Sequence, residues 1–350
     1  MKYINQSDQL EQPDGGLGIL LVNLGTPDSP TTSAVRRYLA EFLSDPRVVS
    51  IPRMLWQLIL HGIVLRVRPK RSAEAYRKIW TDQGSPLLVI SQQQLSALTA
   101  ALNPRLTGKV HVALAMRYGN PSIATVLEKL RRQNIQRLLV FPLYPQYSAT
   151  TTASIFDAVS TALQRWRRIP ECRFIHRYCH EADYIAVLSE SIREFREQAG
   201  EAQKLLFSFH GIPKDYYESG DPYPNECRST ADQVAKSLGL HDHQWQISFQ
   251  SRFGNQEWVK PYTDETLKRW GKEGVESVQV VCPAFSADCL ETLEEIREEN
   301  RAYFLQAGGK RYAYIPALND RPGHIALLAD LIGKHISGWP EAESSHGEKA

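Results

Sequence analysis

Three pairs of short segments recur in the same order along the two halves of the chain, and this duplication limits the possible folds more than any other feature. An apolar run stopped by glycine and then proline, Gly18 to Pro27, is answered by Leu205 to Pro213. Arg117-Tyr118-Gly119-Asn120 is answered by Arg252-Phe253-Gly254-Asn255, each after a β-like run (Val112 to Ala115; Gln246 to Gln250). Leu138 to Pro142 is answered by Val278 to Pro283, each preceded by a short helical pattern and followed by a hydroxyl-bearing loop. The last two pairs have similar offsets, which a chance match does not favour. Short apolar strands alternating with helix-period segments imply parallel sheet. The expected architecture is therefore α/β: two related βαβ domains whose loops converge on one cleft.

His210 is the first candidate for chemistry, because it ends the apolar run Leu205 to Phe209 and enters a loop at Gly211-Ile212-Pro213. Ligands of such sheets sit where strands give way to loops. A lone histidine beside an apolar run is more often structural, but one at a strand mouth shared by both halves becomes a ligand candidate. The second constellation follows Cys282-Pro283, where a helix is expected to begin near Asp288. On an α-helix Glu291, Glu295 and Glu298 fall at i, i+4 and i+7, a single face. Aligned carboxylates repel by roughly 0.2–0.5 kcal/mol per pair. A solvated face with Arg297 and Arg301 nearby tolerates that cost; the other interpretation is a row that binds a divalent cation or accepts protons. His210 is the matching nitrogen donor, and without a third close ligand the site would be open and transient. H-E-x-x-H, paired C-x-x-C, the P-loop and G-x-G-x-x-G are all absent, which removes the usual zinc, nucleotide and dinucleotide assignments.

The segment Ile51 to Arg71 has little polar face, with Met54, Leu55, Trp56, Leu58 and Ile59 in close succession and Arg66, Arg68, Lys70 and Arg71 at its end. It fits either a buried helix or an exposed apolar lip with a basic collar, suited to a flat ligand bearing carboxylates or to a bilayer surface. Tyr118, Tyr144, Tyr147, Phe209, Tyr216, Tyr217, Phe253 and Trp258 gather at predicted strand mouths, where they would line a broad planar pocket. A net charge of +2 over 350 residues gives no global basic field, so nucleic acid is not the expected partner. Five cysteines without C-x-x-C and without a signal peptide predict a reducing, cytoplasmic location, with no spanning helix. Residues 1–16 and 338–350 are expected to be loose tails.

Six blocks in order, Gly18 to Pro27, Phe141 to Ser148, Ser208 to Pro213, Gly220 to Pro224, Gln250 to Gly254 and Asp288 to Glu295, resemble the signature blocks of ferrochelatases. The resemblance runs from about residue 17 to 332. It implies two Rossmann-like domains, each a parallel β-sheet flanked by helices, around a porphyrin cleft. The expected boundaries are 17–160, with a porphyrin-covering lip at about 51–71 and completion by 311–337, and 161–310 for the second domain. The implied reaction is insertion of Fe2+ into protoporphyrin IX with release of two protons, the last step of haem synthesis. His210 falls on the family's active-site histidine and Glu291 on its metal-site glutamate, so both are expected to be catalytic and to meet metal. Asp288 falls on the aspartate that opens the family's acidic block and Glu295 on its continuation; with Glu298, the third carboxylate of the spaced row, they form the expected proton or metal relay. Arg117, Tyr118, Tyr147, Trp258, Met54 and Leu55 fall on the porphyrin-binding side. Fe2+ is then substrate; no tightly bound cofactor is expected, and no iron–sulfur cluster, since no cysteine follows Cys289. Peripheral membrane contact through the lip is implied as well. Two alternatives stay open: another tetrapyrrole chelatase, cobalt-inserting or coproporphyrin-using, and a non-catalytic tetrapyrrole carrier.

Overall fold

In the computed structural model, which describes residues 15–342, the strands fall into two parallel four-stranded sheets. The first holds β1 (Leu17–Thr26), β2 (Val110–Gly119), β3 (Arg137–Pro142) and β4 (Glu171–Phe174), in the order β2-β1-β3-β4. The second holds β5 (Lys204–His210), β6 (Trp245–Gln250), β7 (Ser277–Val281) and β8 (Arg311–Ile315), in the order β6-β5-β7-β8. The two orders are the same, so the segment pairs of the sequence occupy equivalent strands: β1 with β5, β2 with β6, β3 with β7. Helices lie between successive strands, as parallel pairing requires.

β1 is closed on both faces, which explains its unbroken apolar run. Leu17, Ile19 and Leu21 enter the same core as Leu205, Phe207 and Phe209 of β5, so one apolar body joins the halves. Leu20 and Val22 point the other way, against Val126, Leu127, Ile155 and Val159 of the flanking helices. Glycine at the end of each central strand has a steric cause. A Cβ on Gly25, whose φ is +111°, would lie 1.8 Å from the Tyr118 carbonyl oxygen. One on Gly211 would lie 2.8 Å from that of Gln250. In both sheets the chain turns out of the central strand hard against the neighbouring strand's backbone.

The domain boundaries differ from the sequence expectation. β4 pairs with β3, with Leu138 opposite Cys172, so the first sheet extends beyond residue 160. This edge strand is four residues long and half exposed, and it carries no apolar run that would mark it in the sequence. β8 pairs with β7 and belongs to the second sheet, so the segment 311–337 is divided. Its helix, Pro322–Ile336, packs on helix Pro86–Leu102 of the first half and on helix Ala182–Ala199 of the second. The expected tails lie largely outside the described residues, but 338–342 are pinned rather than loose. Trp339 Nε1 donates to Glu171 at 2.7 Å, and Arg137 pairs with the buried Glu341 at 2.7 Å. Among the described residues no helix is long and apolar enough to cross a membrane.

Candidate active site

β5 delivers His210 to a cleft of about 830 Å³, solvent at its mouth included, and the acidic helix delivers Glu291 to the same cleft. Apolar side chains from both domains form its walls, among them Leu24 and Phe42 from the first and Ile212, Phe253, Trp258 and Phe285 from the second. Val48 and Phe253 also border a larger opening of about 1980 Å³ that continues under the lip, past Trp56, Val64, Arg68 and Arg71. Phe253 is held by Trp258, whose Nε1 donates to the Phe253 carbonyl at 3.0 Å and whose ring lies 4.9 Å from the phenyl.

His210 Nδ1 lies 2.7 Å from the Gly211 carbonyl oxygen, so the tautomer protonated there donates to the backbone and leaves the Nε2 lone pair free. Burial pushes the imidazole below its usual range, against the opposing pull of Glu291 and the Gly211 hydrogen bond; Arg68 adds to the lowering. The ring is thus kept neutral and able to take a proton or a metal ion. Arg68 lies 5.1 Å over Phe253, and burial lowers its own pKa while Glu291 opposes that shift.

Glu295 stands behind Glu291. Its carboxylate accepts from the Ser251 amide at 2.8 Å, from the Ser251 hydroxyl and from Gln250 Nε2 at 3.4 Å. Burial pushes its pKa up to about 7; the Ser251 bonds hold it down and the Glu291 charge adds to the rise. Ser251 adopts φ +64° to aim its amide there. A carboxyl so placed exchanges protons at neutral pH.

The acidic helix is not the α-helix that the spacing predicts. From Glu291–Asn300 it is wound in wide i→i+5 turns, continuing as α-helix over Arg301–Gln306. Gln250 Nε2 feeds the Glu291 carbonyl at 3.1 Å and Asn300 Nδ2 the Glu295 carbonyl at 2.8 Å. The wider turn moves the i+7 position off the cleft face. Glu298 is accordingly exposed and paired with Arg297 at 3.0 Å. Asp288 is also outside the cleft lining. Its carboxylate is occupied by the Tyr314 hydroxyl at 2.6 Å, Asn319 Nδ2 at 2.8 Å and the Thr292 hydroxyl at 2.9 Å. It fixes the start of the helix to the loop after β8.

Arg117 and Tyr118 are brought together, one layer behind the wall. Both donate to Asp45, at 2.5 and 2.8 Å, and Ser154 completes the group. The Tyr118 ring supports Phe42 edge-on at 5.0 Å. Tyr147 stacks on His176 at 4.3 Å and does not line the cleft. Met54 and Leu55 stand on the outer side of the lip, 86% and 54% exposed. Sequence reasoning missed Asp45, the Ser251 contact and Lys78, which meets Glu294 at 2.7 Å and ties the lip helix to the acidic helix. Asp45 follows the first helix, Thr32–Leu43, far in sequence from Arg117, so all three depend on three-dimensional proximity alone.

Comparison with known proteins identifies the family and the fold. The family model described as Ferrochelatase matches residues 16–336. Among curated relatives, a ferrochelatase of Thioalkalivibrio sulfidiphilus is 53% identical over 350 residues, covering 100% of this chain and 95% of its own. One of Nitrosococcus oceani is 51% identical over the same shares. Ferrochelatase 2 of Shewanella oneidensis is 54% identical over 92% of this chain and 98% of its own. In fold the chain is similar to the solved structure of SirB from Bacillus subtilis with Fe3+, with a TM-score of 0.56, 11% identity, and 94% and 100% of the two chains covered. With the family model spanning both sheets and relatives above half identical nearly end to end, the chain belongs to the ferrochelatase family.

Proposed function

We propose that the cleft inserts Fe2+ into protoporphyrin IX, with His210 and Glu291 as the groups that meet metal and pyrrole protons. The observation that carries this is their convergence, from different elements of the second domain, on one apolar cleft shared with the first. The reaction exchanges two N–H protons for one Fe2+, so the site needs a base, a carboxylate for a dication, and walls for a flat apolar ring. A neutral His210 supplies the first and Glu291 the second. Phe42, Phe253 and Trp258 supply the third, with Arg117 and Tyr118 bracing Phe42 from behind. Glu295, titrating near 7, passes protons from Glu291 toward Ser251 and solvent. Arg68 and Arg71 under the lip face the carboxylates of the macrocycle. Asp288 keeps the acidic helix in place, and Glu298, on the outside, is the last acidic group before solvent. Iron enters as substrate and no resident cofactor takes part.

The lip extends the proposal to location. Met54, Leu58, Ile63 and Val67 are exposed on its outer side, beside Arg66 and Lys70. An apolar ridge with basic neighbours suits the surface of an anionic membrane, where an apolar substrate would be collected on the cytoplasmic side.

Anaerobic incubation with Fe2+ and protoporphyrin IX tests the function. Catalysis predicts loss of porphyrin fluorescence over many equivalents, with matching formation of haem. A carrier would quench one equivalent and stop. Faster consumption of coproporphyrin III, or insertion of Co2+ in preference to Fe2+, would replace the stated substrate.

A further inference from the structure

A second group of metal-binding side chains lies away from His210 and Glu291. Cys179, His180 and Glu226 each offer one donor atom, and the three atoms lie within 4.8 Å of one another. Cys179 and Glu226 are buried and His180 is exposed, so a ligand can enter from solvent on the histidine side. The Glu226 carboxylate is held by partners that a metal ion would replace or share. Glu226 accepts from Cys179 Sγ at 3.3 Å and from the Tyr147 amide at 2.8 Å, and Arg177 pairs with it at 2.5 Å. The Arg177 side chain is half exposed and can swing into solvent.

We propose that Cys179, His180 and Glu226 form a second site for a borderline divalent metal, of which Zn2+ is the class and Co2+ the spectroscopic probe. Thiolate, imidazole and carboxylate together select late first-row ions over Mg2+ or Ca2+, and three protein ligands leave a fourth position to water. On binding, the thiol proton passes to solvent, Sγ bonds the metal and Arg177 leaves Glu226. The site is wired to the cleft. The Cys179 amide donates to the Pro145 carbonyl at 3.0 Å, and Glu226 holds the next loop residue but one through the Tyr147 amide. Between them Gln146 lines the cleft and donates to Thr230, one turn along the same helix as Glu226. An ion here would tighten the loop 145–147 against helix Tyr223–Ser237.

The test is an anaerobic titration of the full chain with Co2+, following the near-ultraviolet thiolate-to-cobalt absorption, which a histidine and carboxylate site does not give. The band should appear, vanish in Cys179→Ser, and persist in Cys172→Ser and Cys289→Ser. His180→Ala, at an exposed position, should weaken cobalt binding by roughly 100-fold or more, the loss of one of the direct ligands. Arg177→Gln should tighten it, since the competing cation is gone. No band, a band that survives in Cys179→Ser, or one lost in Cys172→Ser or Cys289→Ser would overturn the assignment.

Discussion

Two carboxylates seven residues apart show how neighbours, and not residue type, decide a role. Asp288 is surrounded by hydroxyl and amide donors, whereas Glu295 has the Ser251 donors and the Glu291 charge. Asp288→Ala would take away the acceptor of the buried Tyr314 hydroxyl and of the Asn319 side-chain amide, while the Thr292 hydroxyl keeps the Cys289 carbonyl. A loss of about 2–4 kcal/mol is expected, read by denaturant unfolding. Insertion per folded molecule should change less than in Glu291→Gln, where a drop of about 100-fold or more is expected if this carboxylate handles metal and protons. Equal losses in the two variants would contradict the division of roles. His210 was legible in the sequence because a strand mouth can be read from an apolar run ending in glycine and proline. The orientation of its ring was not, because that rests on a carbonyl one residue away.

At the scale of elements, the three wide-turn helical segments among the described residues all border the cleft: Leu60–Val64 in the lip, Ala149–Ala153 after β3, and Glu291–Asn300. Such turns gather at functional sites because they re-aim side chains that a regular helix would turn away. An α-helical period, which the spacing of the acidic row suggests, places Glu298 with Glu291; the wide turn separates them. The neighbours that stabilise the wider turn, Gln250 and Asn300, are 41 residues before and nine after Glu291, so no local pattern announces them. Glu295 carries a pH prediction whose sign is fixed. Its folded-state pKa is raised from 4.5 to about 7, so the folded chain holds the proton more tightly than the unfolded chain. Stability therefore falls as pH rises from about 4.5 and levels off above about 7, by an amount on the order of 3 kcal/mol. Glu295→Gln should remove this dependence in unfolding measurements from pH 4 to 8. In turnover, the ionised carboxylate accepts protons, so the wild-type rate should climb through pH 7 and the variant should lack that limb. An unchanged limb would take Glu295 out of the proton path.

For the whole molecule, duplication makes a cleft between two sheets of the same strand order, and the lip closes it. The duplication was legible because central parallel strands must be apolar throughout and must end in small residues where they meet a neighbour's backbone, as at Gly25 and Gly211. The edges were not legible: β4 is short and half exposed, and β8 could be assigned to either sheet until its pairing with β7 was seen. The lip's outer side gives a prediction at this scale. Leu58→Glu with Ile63→Glu should reduce co-sedimentation with anionic vesicles while leaving insertion of detergent-dispersed porphyrin close to wild type. Retained vesicle binding would remove the lip from the membrane.

Metal insertion in this cleft depends most on His210 acting in the chemistry while the walls do the holding. With protoporphyrin IX preloaded on His210→Ala and Fe2+ added anaerobically, single-turnover insertion should fall by about 100-fold or more. The porphyrin dissociation constant, from fluorescence, should stay within about threefold of wild type, less than ~1 kcal/mol. Near-normal insertion, or loss of porphyrin binding in step with the rate, would contradict it.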